Sequence, residues 1–337
     1  MKTTIYDVAK ASGVSIATVS KVINNSGRIG EKTKKKVLET INELNYHPNM
    51  IATALTGKST FSIGLLIPDL ANPFFAELAR SVEDRAHELG YNLVICSTDY
   101  NPAKEMKYVD LLKRKNVDGI IFASGFEQLD KIEELNESLP IAVVARDFPS
   151  SNVNTVSFDD YLGGFKATSH LIELGHEKIA LIGRDVWSNR ERKRGYEDAM
   201  HNNDLNYKFR FEYIEESNVE WGKYMAGKYM TSEDPPTAIV ACNDLLASGA
   251  IQAVKEYGLS VPDDVSIVGF DNTIIATLTD PLLTTIAQPI KSMGKHVMDL
   301  MSNEIENNVT DKSRITLIPK LVTRGSTKQV NKRIVQS

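Results

Sequence analysis

The chain has 337 residues, 42% hydrophobic and 25% charged, too long for one small domain and too apolar for a disordered polymer. Two cysteines exclude a disulfide-stapled scaffold, and the lack of a signal peptide or an apolar run of about 18 residues predicts a soluble, cytoplasmic protein without membrane contact. The net charge of −5 is unevenly spread: residues 1–58 hold nine Lys/Arg against four Asp/Glu, leaving 30 and 40 for the remainder, so a head of +5 precedes a body of −10.

The first elements are two short helices. Ile5, Val8 and Ala9 share one face of the first, with Thr4 as its N-cap and Asp7 in its first turn. Gly13 supplies a turn and Val14 plugs the angle between the helices. Ser15 caps the second helix, where Val19, Val22 and Ile23 face inward and Ile16, Ala17, Ser20 and Lys21 face out. This is the layout of a helix-turn-helix, although an ordinary helical hairpin satisfies the same pattern. A third helix over 31–45 carries Val37, Leu38, Ile41 and Leu44 as its apolar stripe. It opens with Lys32, Lys34, Lys35 and Lys36, a solvated helix face in most proteins but a phosphate-contacting surface on a basic head.

Residues 48–58 join head and body, with Ile51, Ala52 and Leu55 on one face of a helix too short to be stable alone; a plain linker reads the same way. From Phe61 short apolar runs alternate with amphipathic stretches. Strands are expected at 62–67, 92–96, 119–123, 141–145, 178–182, 238–241 and 266–270, with helices at 74–89, 102–115, 162–174, 190–201, 244–257 and 291–306. This rhythm means an α/β body of doubly wound parallel sheets, and its length calls for two lobes with a ligand cleft beyond the carboxyl ends of the strands. No phosphate-binding loop, dinucleotide glycine motif, nucleophile elbow or zinc spacing is present, so neither an enzyme nor a metal or organic cofactor is expected.

Three stretches now stand together: Tyr6-Asp7-Val8-Ala9, Val14-Ser15-x-x-Thr18-Val19-Ser20-x-Val22-Ile23-Asn24, and Tyr46-x-Pro48-Asn49-x-x-Ala52-x-x-Leu55. With them the chain resembles the LacI/GalR repressor family along nearly its whole length. The resemblance implies a helix-turn-helix head (1–47), a hinge helix (48–58) and a periplasmic-binding-protein-like body (59–337). In the body, lobe 1 would take about 59–158 and 290–319, and lobe 2 about 159–289 and 320–330, with crossings near 146–160, 288–289 and 318–321. It implies a homodimeric repressor on a pseudo-palindromic operator, its DNA affinity set by a small-molecule effector of carbohydrate type. Ile16, Ala17 and Lys21 would read bases, Tyr6, Ser15, Thr18 and Asn24 would touch phosphates, and Thr4 and Ser20 complete the set. Asn49, Ala52 and Leu55 would meet the minor groove, with Leu55 as a wedge at the central step.

The same resemblance puts Asp69, Asn72, Phe74, Phe75, Arg192, Asn243, Asp271 and Gln288 around the effector. Taken alone, Phe74 and Phe75 read as core and Asn243 as a helix cap. Two departures stand out: Ala145 where sugar-responsive members carry Asp, and Ser217 where an aromatic platform is common, with Trp221 as its replacement. The stretch by which some members recognise a phosphorylated carrier protein is not reproduced at Lys291-Ser292-Met293-Gly294, which leaves a protein corepressor as the lesser alternative. A sugar-binding module without regulation lacks a use for the basic head, and a sugar kinase lacks its phosphate loop.

Overall fold

Helices α1 (Ile5–Ser12), α2 (Ile16–Ile23) and α3 (Glu31–Glu43) open the computed structural model. It describes residues 3–23, 27–46, 59–123, 129–149, 151–205, 210–307 and 311–330. Two units separate by contacts, Met1–Thr60 and Phe61–Ser337.

In the head, Asp7 Oδ2 accepts from the Thr4 amide at 2.9 Å and the Thr4 hydroxyl at 2.7 Å. Thr4 is the N-cap, as expected, and the Asp7 carboxylate fastens the start of α1 by closing a capping box with it. Gly13 closes α1 at φ +66°, the left-handed region that glycine enters without strain. Val8, Val19 and Val37 are fully buried, and Ile41, Leu44 and Tyr46 pack with them. Leu38 is 43% exposed and outside this core. At about 100° per residue it lies at the edge of the face that Val37, Ile41 and Leu44 share, a correction to the expected stripe.

The body holds two six-stranded sheets. The first comprises β1 (Ser62–Ile67), β2 (Asn92–Ser97), β3 (Gly119–Ala123), β4 (Ile141–Val144), β5 (Asn154–Phe158) and β11 (Arg314–Leu317), ordered β11-β5-β4-β3-β1-β2 and parallel throughout. The second comprises β6 (Ile179–Arg184), β7 (Arg210–Ile214), β8 (Ala238–Ala241), β9 (Ser266–Asp271), β10 (Thr284–Ala287) and β12 (Lys320–Val322), ordered β12-β10-β9-β8-β6-β7. Its β12 alone runs antiparallel, against β10. The central strands are buried on both faces, as crossover helices require: all six residues of β1 and of β9 are buried.

Helices α4 (Pro73–Glu88), α5 (Pro102–Arg114), α6 (Leu129–Asn136) and α11 (Ile290–Asn307) belong to the first lobe. Helices α7 (Asp160–Glu173), α8 (Trp187–His201), α9 (Val219–Met230) and α10 (Asp244–Glu256) cover the second. Strands β5, β7, β10, β11 and β12 and helices α6 and α9 fall outside the sequence expectation. Strand β5 shows why: Asn154, Thr155 and Ser157 are polar yet buried. Two of the three side chains are matched from across the sheet, Asn154 Oδ1 accepting from the Ser313 amide at 2.8 Å and the Ser157 hydroxyl lying 3.2 Å from that of Thr316, while the buried Thr155 hydroxyl has no partner among the described residues. Among the described residues no helix is long and apolar enough to cross a membrane.

Two helix pairs in the second lobe approach through glycines. A Cβ on Gly164 of α7 would lie 2.1 Å from the Arg192 carbonyl oxygen of α8, and one on Gly195 of α8 would lie 2.1 Å from that of Tyr161. Gly222 and Gly249 do the same for α9 and α10, at 2.3 and 2.0 Å. Backbone cannot yield as a side chain would. Gly164→Ala should therefore destabilise the body by about 1–3 kcal/mol despite alanine's better helix propensity, read as a lower midpoint in urea unfolding; an unchanged or raised midpoint would show that the helices part freely.

Candidate functional site

The head presents a polar and apolar surface on α1 and α2. Tyr6 is 68% exposed and Ile16 40%, and Ala17 and Lys21 are also exposed. Ser15 and Thr18 engage each other, with hydroxyls 2.9 Å apart and the Thr18 amide donating to Ser15 Oγ at 3.1 Å. Thr4 is exposed and Ser20 half-buried. Asn24, Asn49, Ala52 and Leu55, with the hinge at 48–58, lie outside the described residues.

The body has a cavity of about 440 Å³ between its lobes, a size suited to a small ligand. Its walls come from residues at or just beyond the carboxyl ends of strands. Pro68 and Asn72 follow β1, Thr98 and Tyr100 follow β2, and Ala145 and Arg146 follow β4. From the other side, Trp187 follows β6, Ser217 follows β7, Cys242 and Asn243 follow β8, and Asp271 ends β9. Parallel strands leave space there because the chain departs into helices on either side, so residues distant in sequence converge.

Asn72 and Asn243 serve two ends at once. Each caps a helix, Asn72 accepting from the Phe74 amide at 3.0 Å and Asn243 from the Leu246 amide at 2.7 Å, and each lines the cavity. Phe74 and Phe75 are buried in an edge-to-face pair with centroids 5.0 Å apart, and both also line it. The core and site readings of these residues are therefore compatible. Asp69 does not line the cavity; its carboxylate accepts from the Ala71 amide at 2.8 Å and holds a turn. Trp221 is likewise absent from the walls and meets Tyr224 edge-to-face; the tryptophan that lines the cavity is Trp187.

Arg192 is the hub. It is 7% exposed; its Nε donates to Asp160 Oδ1 at 2.7 Å, Nη1 donates to the Cys242 carbonyl, and Nη1 lies 3.9 Å from Asp271 Oδ1. Its guanidinium stands 3.7 Å from the centroid of Phe270. Asp271 in turn accepts from Gln288 Nε2 at 2.6 Å. Asp271, Ala145 and Tyr100 have φ of +102°, +63° and +54°, so three wall residues hold backbone conformations that side-chain-bearing residues seldom adopt. Asp160, Glu105, Tyr100, Arg146 and Trp187 are wall residues that sequence reasoning missed. Asp160 had a signal, as a carboxylate opening a helix, but it became readable only once β5 was known to end at Phe158.

Burial raises the carboxyls here. Asp160 is pushed up to about 6 by desolvation against the pull of Arg192, and Asp271 is also raised, burial outweighing Arg192. Asp244, outside the walls, rises to about 6 through burial although it accepts from the Thr273 amide and the Thr273 and Thr285 hydroxyls. Among the described residues no His, Cys, Asp and Glu cluster fits a metal ion. The arrangement offers carboxylate, amide and guanidinium groups beside aromatic rings, suited to a ring with polar edges.

A carboxyl raised above its unfolded value of 3.8 takes up a proton in the native chain before the unfolded one does. Asp160 thus adds stability as pH falls from above its folded value, and loses that contribution as pH rises through about 6. The stability advantage of the wild-type chain over Asp160→Asn should widen between about pH 7 and about pH 5 in urea unfolding. A narrowing advantage would mean an ordinary salt-bridged carboxylate with a lowered pKa.

Comparison with known proteins agrees with this geometry. Residues 4–49 match the model of bacterial regulatory proteins, lacI family, and residues 168–327 match a periplasmic binding protein-like domain. The chain is 48% identical to the HTH-type transcriptional regulator DegA of Bacillus subtilis (strain 168), over 98% of this chain and 100% of that one. Among solved structures, the lac repressor dimer bound to operator and the anti-inducer ONPF superposes with a TM-score of 0.87 at 29% identity, covering 97% of this chain and 100% of that one. A LacI family transcriptional regulator from Enterococcus faecium with bound ribose superposes with a TM-score of 0.74 at 29% identity, covering 80% and 100%.

Proposed function

This chain belongs to the lacI family of bacterial regulatory proteins and is a DNA-binding regulator of transcription; from that premise we propose that it is a homodimeric repressor, released from or held on a pseudo-palindromic operator by a small carbohydrate-type effector in the inter-lobe cavity. The observation that carries the effector reading is the convergence of Arg192, Asp271, Gln288 and Asn243 with Phe74 and Trp187 on one cavity. Hydrogen-bonding side chains of both polarities around apolar ring faces suit a polyhydroxylated ring. The Enterococcus relative holding ribose supports the same class.

For the head, the exposure of Ile16, Ala17 and Lys21 supports a base-reading role in the major groove, with Tyr6, Ser15, Thr18 and Asn24 toward phosphates. Asn49, Ala52 and Leu55 are assigned to the minor groove. Leu55 inserted at a base step would kink the duplex, with unstacking offset by the contacts that bending allows.

If Lys21 reads a base, Lys21→Ala costs about 1–3 kcal/mol on the operator and relaxes preference at one pair in each half-site; if it touches a phosphate, all sequences weaken alike and the salt slope falls. Leu55→Ala should weaken operator binding more than non-specific binding in a titration at fixed salt, and equal losses would remove the wedge. For the body, a thermal-shift panel of sugars, sugar phosphates, polyols and nucleobases should contain a stabiliser. At about 100 times its dissociation constant a ligand adds roughly 2.7 kcal/mol, and Arg192→Ala and Asp271→Ala should each abolish the shift. A panel without a stabiliser would shift weight to a protein corepressor.

A further inference from the structure

The two lobes touch each other beside the cavity. Tyr100 of lobe 1 lines the cavity, and the Arg184 guanidinium of lobe 2 stands 4.0 Å from the centroid of its ring. Arg184 itself is not among the residues that line the cavity. Both partners are held firmly. Tyr100 sits between β2 and α5, with Asp99 and Tyr100 both at φ +54° and the Asp99 amide donating to the Pro68 carbonyl at 2.7 Å. The Arg184 carbonyl accepts from the Val186 amide at 2.9 Å and from Asn189 Nδ2 at 3.0 Å.

Two weaker contacts cross in parallel. Arg146 of lobe 1 stacks on Phe148 at 4.3 Å and reaches Trp187 of lobe 2 at 6.0 Å, near the limit of such an attraction. The Ile274 amide of lobe 2 donates to Glu77 of lobe 1 at 3.4 Å. A flat cation over a ring face is tolerant of small rotations and is lost when the faces part by a few ångströms. It suits a joint between two bodies that open and close.

We propose that the Tyr100–Arg184 pair is a clasp that holds the two lobes together beside the cavity. A ligand that touches Tyr100 then acts on a ring already engaged by the other lobe. Effector binding and lobe position are coupled at this ring without any ligand contact to Arg184.

Cys242 supplies the probe. It lines the cavity at 2% exposure, and burial pushes its thiol up to about 12, so the rate at which it reacts with a maleimide reports how often its surroundings open. The assay follows labelling of Cys242 in the full-length chain carrying Cys96→Ser, with neither effector nor operator present, so its outcome is independent of the function proposed above. Arg184→Ala and Tyr100→Leu should each raise the rate about two- to fivefold. The double variant should be no faster than the faster single. Unchanged rates in either single variant, or effects that multiply in the double, overturn the clasp. Cys96, buried within lobe 1, is labelled in a parallel Cys242→Ser series. A constant rate there is expected; equal acceleration at Cys96 would mean general loosening and also overturns it.

Discussion

A buried guanidinium organises the body of this protein. A charge taken out of water needs matched partners, and Arg192 finds them on separate elements: the Asp160 carboxylate opening α7, the carbonyl after β8, the carboxylate ending β9 and the face of Phe270. Removing any one leaves an ion short of compensation in a region of low polarity. The positions of α7, β8 and β9 are therefore not independent, and the cavity they wall inherits a defined shape.

The close approach of helices belongs to the same constraint. Gly164 lies against the carbonyl of Arg192 itself, so the missing side chain on α7 sets how near α8 can come and hence where the guanidinium projects. Packing and electrostatics act on one residue from two directions. The strained backbones of Asp271, Ala145 and Tyr100 fit this picture, since such conformations persist only where the surroundings over-determine them. Ala145 shows it well: a left-handed position suits a short polar residue such as Asp, and here a methyl group occupies it and leaves that part of the wall apolar.

Head and body divide the physical tasks. The head is small, basic and cored by a few valines, with polar and apolar side chains exposed on α2. The body is acidic, holds the cavity and carries most of the buried apolar surface. A ligand in one unit can influence DNA in the other only by differential stabilisation of states of the whole chain, which makes the coupling reciprocal. Contacts between the lobes, of which the Tyr100–Arg184 stack is the tightest aromatic one, are where such states would differ in the body.

Much was readable from residue order alone. The three-helix head, the alternation of strand and helix, the two-lobed body and the family followed from short-range patterns, because apolar spacing, caps and glycines act within a few residues. Arg192, Asn243, Asp271, Gln288, Asn72 and the phenylalanine pair were legible through motif positions, and these seven line the cavity. The rest depended on neighbours distant in the chain. Strand β5 carries buried Asn154 and Ser157 because Ser313 and Thr316, some 160 residues later, meet their hydrogen bonds. Leu38 is outside the core because the third helix is turned by Val37, Ile41 and Leu44. Asp69 is held in a turn by the Ala71 amide, and the tryptophan in the wall is Trp187, not Trp221. Sequence by itself determined the class of fold and the family of DNA-binding regulators to which the chain belongs. Tertiary structure alone decided which side chains share a wall, since that depends on the convergence of strand ends that no local pattern records.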